Sequence, residues 1–204
     1  MSYHIAILFH EDDRAAVKNY AISGLAELWR RDGHAVTHIF GVRKFIPADL
    51  ILVHVDLSVV PDEYIAFAQQ YPIVLNDKPV DIRKSSFSRY LLSPQDNYSG
   101  QVFIKSDLNY AGIPEALRLK RNHYFRSLMR VLKVPFFRTP ADYLMFSSLS
   151  EVPSRWFKRK DVVVQRFCPE FEDGLYHVRL YQFLGDKFTC TRISSPRPIV
   201  NDRS

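Results

Sequence analysis

Four short apolar runs, separated by stretches with helical spacing, constrain the first part of the chain most strongly. The runs cover residues 5–9, 36–40, 50–55 and 73–75. Near-continuous apolar composition over so few residues is typical of parallel strands that are buried on both faces. Alternation of such strands with helices predicts a small parallel α/β sheet in the N-terminal part.

Helix boundary signals agree with this alternation. Apolar residues recur at helical spacing between residues 17 and 29, and Asp12 or Asp13 is predicted to cap that helix. Gly33 is predicted to end it. Pro61 begins the next helix, because proline suits the start of a helix and acids follow it. This pattern predicts an α/β domain over residues 1–92.

The second half has a different pattern. Residues 102–105 and 162–167 are predicted strands, and residues 175–184 and 187–193 flank Gly185-Asp186, a two-residue hairpin turn. Residues 81–92 and 117–132 are predicted amphipathic helices, the second of them basic. We therefore expect an α+β, mainly antiparallel domain over residues 93–204.

Composition narrows the class of protein. The 204 residues are 47% hydrophobic, which is typical of a folded chain. No apolar run approaches the length of a membrane span, and the N-terminus has no signal-peptide pattern, so we expect a cytoplasmic protein. Cys168 and Cys190 lack the spacing of a zinc site or a disulfide framework. The net charge of +6 suits ligands that carry phosphate, whether small molecules or nucleic acids.

Three places carry candidate binding residues. Lys105 ends a predicted strand before a flexible turn, where its ammonium and the turn's N–H groups can bind phosphate. The apolar strand at residues 162–167 runs into a short connector whose backbone groups can bind the edge of a base. Lys84 and its neighbour Arg83 form a cationic pair close to Asn76 in sequence.

Taken in order, these motifs resemble the ATP-grasp superfamily, in particular proteins of the glutathione-synthetase or glutamate-ligase type. The resemblance covers about residues 4 to 200 and rests on the whole ordered set. That set comprises Asn76, residues 81–84, the strand to Lys105, Asn109–Gly112, residues 164–170, residues 176–179 and the Gly185-Asp186 turn. It implies a pre-ATP-grasp α/β domain followed by an ATP-grasp domain.

The resemblance also implies roles for individual residues. ATP would lie between two α+β subdomains, with Lys84 and Lys105 as the two nucleotide lysines. Glu170 or His177 would lie near the ribose. The loop over the phosphates would be Asn109, Tyr110, Ala111 and Gly112, and the adenine hinge would be Gln165, Arg166, Phe167 and Cys168.

The family joins a carboxylic acid to an amine through an acyl-phosphate formed from ATP. The resemblance therefore implies ATP, Mg²⁺ and a carboxylate substrate as ligands. Such chemistry depends on positioning and on neutralising charge. Arg179, Arg192 and Arg197 are candidates for the anion contacts of the reaction.

The metal ligands are the missing part of this resemblance. In the family an acid and a Glu-x-Asn segment follow the hairpin, whereas residues 185–204 have acids only at Asp186 and Asp202. The metal ligands therefore remain unknown, and the ATP-grasp domain is expected to be incomplete at its C-terminus. The chain is then either a fragment of a longer protein or a shortened relative. A non-catalytic module that binds nucleotide or a partner is the alternative function.

Nucleic-acid binding is a further alternative. Residues 118–133 contain six Lys or Arg side chains and no acid, with Tyr124 and Phe125 among them. The same stretch has the spacing of an amphipathic helix, which is the interpretation we favour. His10 and His54 lie at predicted strand ends, where open α/β sheets bind ligands, and indicate a substrate side. The substrate acid, its nucleophile and a homo-oligomeric state stay open.

Overall fold

The apolar runs near the N-terminus form one parallel sheet in the computed structural model, which describes residues 1–119 and 143–200. Its strands are β1 His4–Phe9, β2 Ala35–Phe40, β3 Leu50–Val53 and β4 Val74–Leu75. They lie in the order β2-β1-β3-β4, and each neighbouring pair is parallel. The predicted parallel α/β sheet is confirmed.

Strand β1 is buried because helices cover both faces of the sheet. Ala6 and Leu8 pack into a core on one face, together with aromatic side chains of helix α2, Asp62–Ala68. The alternate residues Ile5, Ile7 and Phe9 pack on the other face against helix α1, Ala21–Arg31. Both sets of side chains are removed from water, which explains the continuous apolar run in the sequence.

Two helix boundaries lie where the sequence predicts them. Helix α1 is followed by Gly33, whose φ of +88° is a left-handed conformation that favours glycine. The N–H of Gly33 donates to the carbonyl of Arg30 at 3.1 Å and so closes the last turn. Helix α2 follows Pro61 and carries Asp62 and Glu63 in its first turn, as predicted.

The predicted capping of the first helix by Asp12 or Asp13 is wrong. The chain forms two short 3-10 turns, Asp13–Ala15 and Val17–Asn19, before α1 begins. Tyr20 occupies the N-cap position and makes no capping hydrogen bond with its side chain. Both carboxylate oxygens of Asp13 instead accept hydrogen bonds from Arg118, so they do not cap a helix.

The helix predicted over residues 81–92 is also mostly wrong, since only helix α3, Lys84–Phe87, forms there. The carboxylate of Asp81 accepts hydrogen bonds from Arg83 and Ser86 and holds this single turn. The following residues extend and pair with a strand instead. The N–H of Leu92 donates to the carbonyl of Val164 at 2.9 Å. Pairing with a strand far along the chain thus outweighs the local helical pattern.

The described residues pack into two compact units. Met1–Ser86 belongs to the first unit together with residues 114–119, and Phe87–Ile113 belongs to the second together with residues 143–200. Helix α4, Ile113–Leu119, contains the point where the chain passes between them. The domain boundary near residue 93 stays a prediction. The predicted basic helix over residues 117–132 lies outside the described residues beyond Leu119.

The second unit contains two antiparallel sheets. The first consists of β5 Val102–Ser106, β6 Leu144–Phe146 and β7 Val162–Arg166, in the order β6-β5-β7. Val102 and Ile104 of β5 are fully buried on one face, where side chains of β7 and of residues 149–157 cover them. Strand β5 is central and therefore determines which side chains lie on each face.

The second antiparallel sheet contains the predicted hairpin. Its strands are β8 Glu170–Glu172, β9 Leu175–Leu184 and β10 Lys187–Ser195, in the order β10-β9-β8. Gly185 and Asp186 connect β9 to β10, as predicted. Many of the sheet's apolar side chains are exposed, among them Phe183 at 80% and Phe188 at 71%. Cross-strand contacts between neighbouring side chains therefore contribute much of its stability.

Gly24 and Gly33 allow a test of backbone conformation on a single helix. Gly24 lies inside α1 with open space around it, so Gly24→Ala should raise the free energy of unfolding by about 0.5–1 kcal/mol. Gly33→Ala should lower it by about 1–2 kcal/mol, because alanine is strained at positive φ. Urea titration followed by the fluorescence of Trp29, in a Trp156→Phe background, measures both. Shifts of the same sign would contradict the assignment.

Candidate functional site

Lys105 lies on the face of β5 that is opposite the core. Its neighbours Ile104 and Ser106 are buried, whereas Lys105 and Phe103 point the other way because side chains alternate along a strand. The ammonium nitrogen of Lys105 lies 4.7 Å from the centre of the Phe103 ring. The β5 face with these two side chains, here called the Lys105 face, therefore combines a cation with an aromatic surface.

A row of aromatic rings continues from this face. The Phe103 ring lies 6.0 Å from Tyr143 and 5.8 Å from Phe167, measured between ring centres. Phe167 in turn lies 6.2 Å from Tyr176, which is 4.6 Å from Phe171. The row runs from one sheet of the second unit to the other. Flat rings of this kind can stack with a planar base.

The connector between β7 and β8 borders the aromatic row. The N–H of Phe167 donates to the carbonyl of Gln101 at 2.8 Å, which fixes the start of the connector. Cys168 is exposed, and its N–H has no hydrogen-bond partner among the described residues. Pro169 has no N–H to offer. The connector thus presents backbone groups that can bind the polar edge of a ligand.

Gln165 begins the predicted hinge and is only 8% exposed. It lies opposite Phe103 in the β5–β7 pair, so its side chain shares the Lys105 face. Its Nε2 donates to Ser88 Oγ at 2.5 Å. The hinge residues Gln165 and Phe167 are therefore brought close to Phe103, and Cys168 follows them in the connector. Arg166 places its guanidinium 5.0 Å from the centre of the Tyr98 ring.

The predicted anion-binding arginines form an exposed network with two glutamates. Arg179 Nη2 and Nε lie 2.6 Å and 2.8 Å from the two carboxylate oxygens of Glu170. Arg192 hydrogen bonds Glu172 and lies 3.5 Å from Glu170. The bonds from Arg179 hold the pKa of Glu170 below its usual range, so the carboxylate stays ionised. Arg179 and Arg192 face each other across β9 and β10, and the two acids offset their repulsion.

Arg197 and His177 lie beyond the centre of this network. Arg197 is exposed and makes no ion pair among the described residues. His177 shares an Nδ1 contact of 2.8 Å with Ser194 Oγ, across the β9–β10 pair. It also lies opposite Glu170 in the β8–β9 pair, so the two predicted ribose neighbours are adjacent.

The loop Asn109–Gly112 has an unusual backbone. Tyr110 and Ala111 have φ values of +45° and +57°, and Gly112 follows at +75°. Positive φ is uncommon for residues other than glycine, so three in succession mark a strained backbone. Ala111 therefore adopts the conformation of a glycine-rich loop without being glycine. Gly112 has no Cβ. A Cβ at this position would lie 2.8 Å from Leu108 Cδ1.

Lys84 belongs to the first unit, as the first residue of α3. The carboxylate of Asp81 accepts hydrogen bonds from Arg83 Nε at 3.0 Å and Nη2 at 2.6 Å. These bonds hold the pKa of Asp81 well below its usual range. Arg83 is thereby tied to its own turn, and the phosphate role of Lys84 stays a prediction.

A buried polar cluster, which sequence reasoning missed, lies in the first unit where β1 and β3 end. Arg118 Nη2 lies 2.9 Å and 3.1 Å from the two carboxylate oxygens of Asp13. Its Nη1 donates to the backbone carbonyl of Asp56 at 2.5 Å. Glu115, one turn earlier on α4, accepts a bond from the N–H of Ser58 at 2.7 Å. We call these residues the carboxyl-edge cluster.

The carboxyl-edge cluster could not be found from local patterns. Asp13 and Arg118 are 105 residues apart, and each has a plausible local role as a helix cap or as part of a basic helix. Arg118 is the first of the six basic residues that suggested nucleic-acid binding. Its side chain is 12% exposed and its charge is paired. The other five lie outside the described residues.

His10 and His54 border the carboxyl-edge cluster. The ring of His54 lies 5.2 Å from Phe9 and 4.9 Å from Tyr20, between ring centres. Burial lowers the pKa of His54, and burial together with the charge of Arg118 lowers the pKa of His10. Both imidazoles are therefore neutral near pH 7. Their predicted substrate-side role stays a prediction.

Comparison with models of known protein families finds no match, and no curated protein matches the chain. Within residues 1–119 and 143–200, no group of three His, Cys, Asp or Glu side chains is arranged to hold a metal ion. Glu170 and Glu172 are each paired with an arginine instead. None of the helices in the described ranges has the length and apolar composition needed to cross a membrane.

The Asp13–Arg118 pair should contribute strongly to the stability of the first unit. Arg118→Met leaves the buried Asp13 carboxylate without its partner and should lower the free energy of unfolding by about 3–5 kcal/mol. Lys78→Met is the matched control. Its pair with Asp77 is exposed on the lysine side, so the loss should stay below about 1 kcal/mol. Trp29 fluorescence during urea unfolding measures both, and equal losses would refute a special role for the buried pair.

Three half-buried histidines predict how stability depends on pH. His10, His38 and His54 have folded-state pKa values below the ordinary 6.5. The unfolded chain then binds more protons as the pH falls through 6.5, so stability should decrease from about pH 7.5 to about pH 5.5. His54→Phe removes one such group and should flatten the slope. A slope that is unchanged in this variant would contradict the assignment.

Proposed function

We propose that the protein binds ATP through its second unit, as the nucleotide-binding part of an ATP-grasp carboxylate–amine ligase. The observation that carries the proposal is the Lys105 face, where an ammonium group lies beside an aromatic row and the β7–β8 connector. A cation there suits the phosphates, flat rings suit the base, and backbone groups of the connector suit the polar edge of the base.

Each part of the site matches one chemical group of ATP. Lys105 and the N–H groups of the loop Asn109–Gly112 would bind phosphate oxygens. The rings of Phe103 and Phe167 would contact the base, and the N–H of Cys168 would donate to a ring nitrogen. The ionised carboxylate of Glu170 can accept hydrogen bonds from the ribose hydroxyl groups.

The ligase half of the proposal rests on the arginines. Arg179 and Arg192 are exposed, and in a ligase they would hold the substrate carboxylate or the transferred phosphoryl group. They must exchange part of their bonding to Glu170 and Glu172 when an anion binds. Mg²⁺ would neutralise the triphosphate in such a reaction, but the described residues offer no set of ligands that fits it.

Thermal unfolding in the presence of ATP tests the nucleotide site. Binding only to the folded state should raise the midpoint in proportion to the logarithm of ATP concentration. Lys105→Met should reduce ATP affinity by about tenfold or more, since a charge-assisted bond to phosphate is lost. Lys187→Met is the control, because this lysine is 87% exposed at the hairpin turn. No stabilisation of the wild-type protein by ATP or ADP, with or without Mg²⁺, would refute the proposal.

Turnover separates a ligase from a non-catalytic nucleotide-binding module. ADP release that requires both a carboxylic acid and an amine would support the ligase. Nucleotide binding without ADP release across a panel of such substrates would support the module. Loss of turnover in Arg179→Lys, with ATP affinity retained, would assign that arginine to the acyl substrate rather than to the nucleotide.

A further inference from the structure

A cavity of about 160 Å³ lies beside the outer edge of β7, within the second unit, and opens to the surface. Its lining is apolar apart from one arginine and consists of Leu91, Leu92, Trp156, Phe157, Arg159 and residues 162–164. Close packing leaves few voids of this size in proteins. An apolar cavity of about 150 Å³ accommodates one benzene ring, so this cavity suits a single ring or a branched chain of similar size.

The outer edge of β7 supplies a backbone donor to this cavity. Leu92 ends the short segment that pairs with the edge, and its N–H donates to the carbonyl of Val164 at 2.9 Å. The chain then turns away, since the N–H of Ser93 donates to a side-chain oxygen of Asp96 at 2.7 Å. Backbone groups alternate in direction along an antiparallel strand, so those of Val162 face the same edge as those of Val164. Val162 lies beyond the end of the pairing, where its N–H can donate to a ligand.

The loop that forms another wall of the cavity is strongly basic. Residues 155–160 read Arg-Trp-Phe-Lys-Arg-Lys, and Asp161 is the only acid between residues 152 and 169. That acid is already paired, because Arg159 Nε donates to it at 2.8 Å. Three further cations of the loop are exposed and form no ion pair with any described residue, namely Arg155, Lys158 and Lys160. An anionic group of a ligand can neutralise this excess of positive charge.

Trp156 connects the apolar cavity to the basic loop. Its ring packs against the core of the second unit and also lines the cavity. The guanidinium carbons of Arg159 and Arg155 lie 5.1 Å and 6.0 Å from the centre of this ring. Positive charge is therefore held next to the apolar lining. A ligand that places an apolar group in the cavity brings an attached acidic group close to these cations.

We propose that this cavity binds a small carboxylic acid whose apolar part is one ring or a branched chain of about four to seven carbons. The apolar part fills the space between Leu91 and Trp156, and the basic loop and the β7 edge bind the carboxylate. The site lies on the core side of β7, opposite the Lys105 face, because Val162 and Val164 direct their side chains into the core. It is thus a second ligand site, and it does not depend on the proposed nucleotide site.

Trp156 reports binding directly when it is the single tryptophan. In the variant Trp29→Phe, phenylacetate should change the fluorescence of Trp156 with a saturable curve and a Kd of about 1 mM or lower. Phenylacetamide has the same shape without the charge and should bind about tenfold more weakly. Acetate lacks the ring and should give no saturation at the same concentrations.

Three results of these titrations would overturn the inference. Equal affinity for phenylacetate and phenylacetamide would show that the cations play no part. Equal affinity for phenylacetate and acetate would show a surface that binds any small anion. Calorimetric titration of the wild-type protein with phenylacetate and with isovalerate, a branched-chain acid, covers binding that leaves the fluorescence unchanged, and failure of both acids to bind is the third result.

The variant Leu91→Phe tests the cavity itself. The larger side chain occupies part of the space, so the affinity for phenylacetate and for phenylacetamide should fall alike, by about tenfold or more. Thermal unfolding shows whether the variant folds. Unchanged affinity in the folded variant would place the ligand elsewhere and overturn the inference.

A double variant of exposed lysines tests the charge without altering the packing. Lys158→Gln with Lys160→Gln should weaken phenylacetate by about five- to tenfold and leave phenylacetamide unchanged. Lys18→Gln with Lys187→Gln removes the same charge at exposed positions outside the cavity lining and should change neither affinity. Equal losses in the two double variants would indicate an effect of net charge and overturn the site. These titrations contain no nucleotide, so their outcome is independent of ATP binding.

Discussion

The pairing of β5 with β7 is the constraint on which the second unit depends. Its register places Val102 and Ile104 in the core and turns Phe103 and Lys105 to the other face. Because the side-chain period of a strand is two, a slip by one residue would bury the lysine and expose the core. The same pairing positions Gln165 and the start of the connector. Core packing and the arrangement of the candidate site thus have one cause.

The ion pairs of the two units differ in their exposure to water and therefore in their roles. Asp13 and Arg118 are buried, and their charges are tolerated because the guanidinium also bonds a backbone carbonyl of the β3 edge. Glu170 and Arg179 are both exposed, so water screens their attraction and either can exchange its partner for a ligand. A buried pair of this kind holds elements together, whereas an exposed network can rearrange around a substrate anion. Of the two kinds of pair, only the exposed arginines suit the anion contacts that we propose.

Sequence patterns predicted those elements whose stability comes from local periodicity or turn chemistry. The parallel strands, the hairpin around Gly185 and the end of α1 at Gly33 belong to this class. The three-residue strands β6 and β8 are too short to show a periodic pattern. Residues 81–92 have a helical pattern, but the residues after α3 pair with β7 instead. Candidate residues on β5 and β7 come together because a single register controls them. The Asp13–Arg118 pair has no local signature, because its partners meet only after the whole first unit has folded.

The loop Asn109–Gly112 has a strained backbone, and this strain is independent of any resemblance to a family. Asparagine and aspartate tolerate positive φ, as Asn76 and Asp173 do, but Tyr110 and Ala111 have no such preference. Each left-handed residue of this kind costs roughly 1–2 kcal/mol. Strain of that size persists where the direction of backbone groups matters, and it concentrates at ligand-binding loops. The N–H groups of the loop follow directly after the strand that carries Lys105, so cation and backbone donors are supplied by one continuous segment. The proposed triphosphate site would use this combination of a cation and backbone donors.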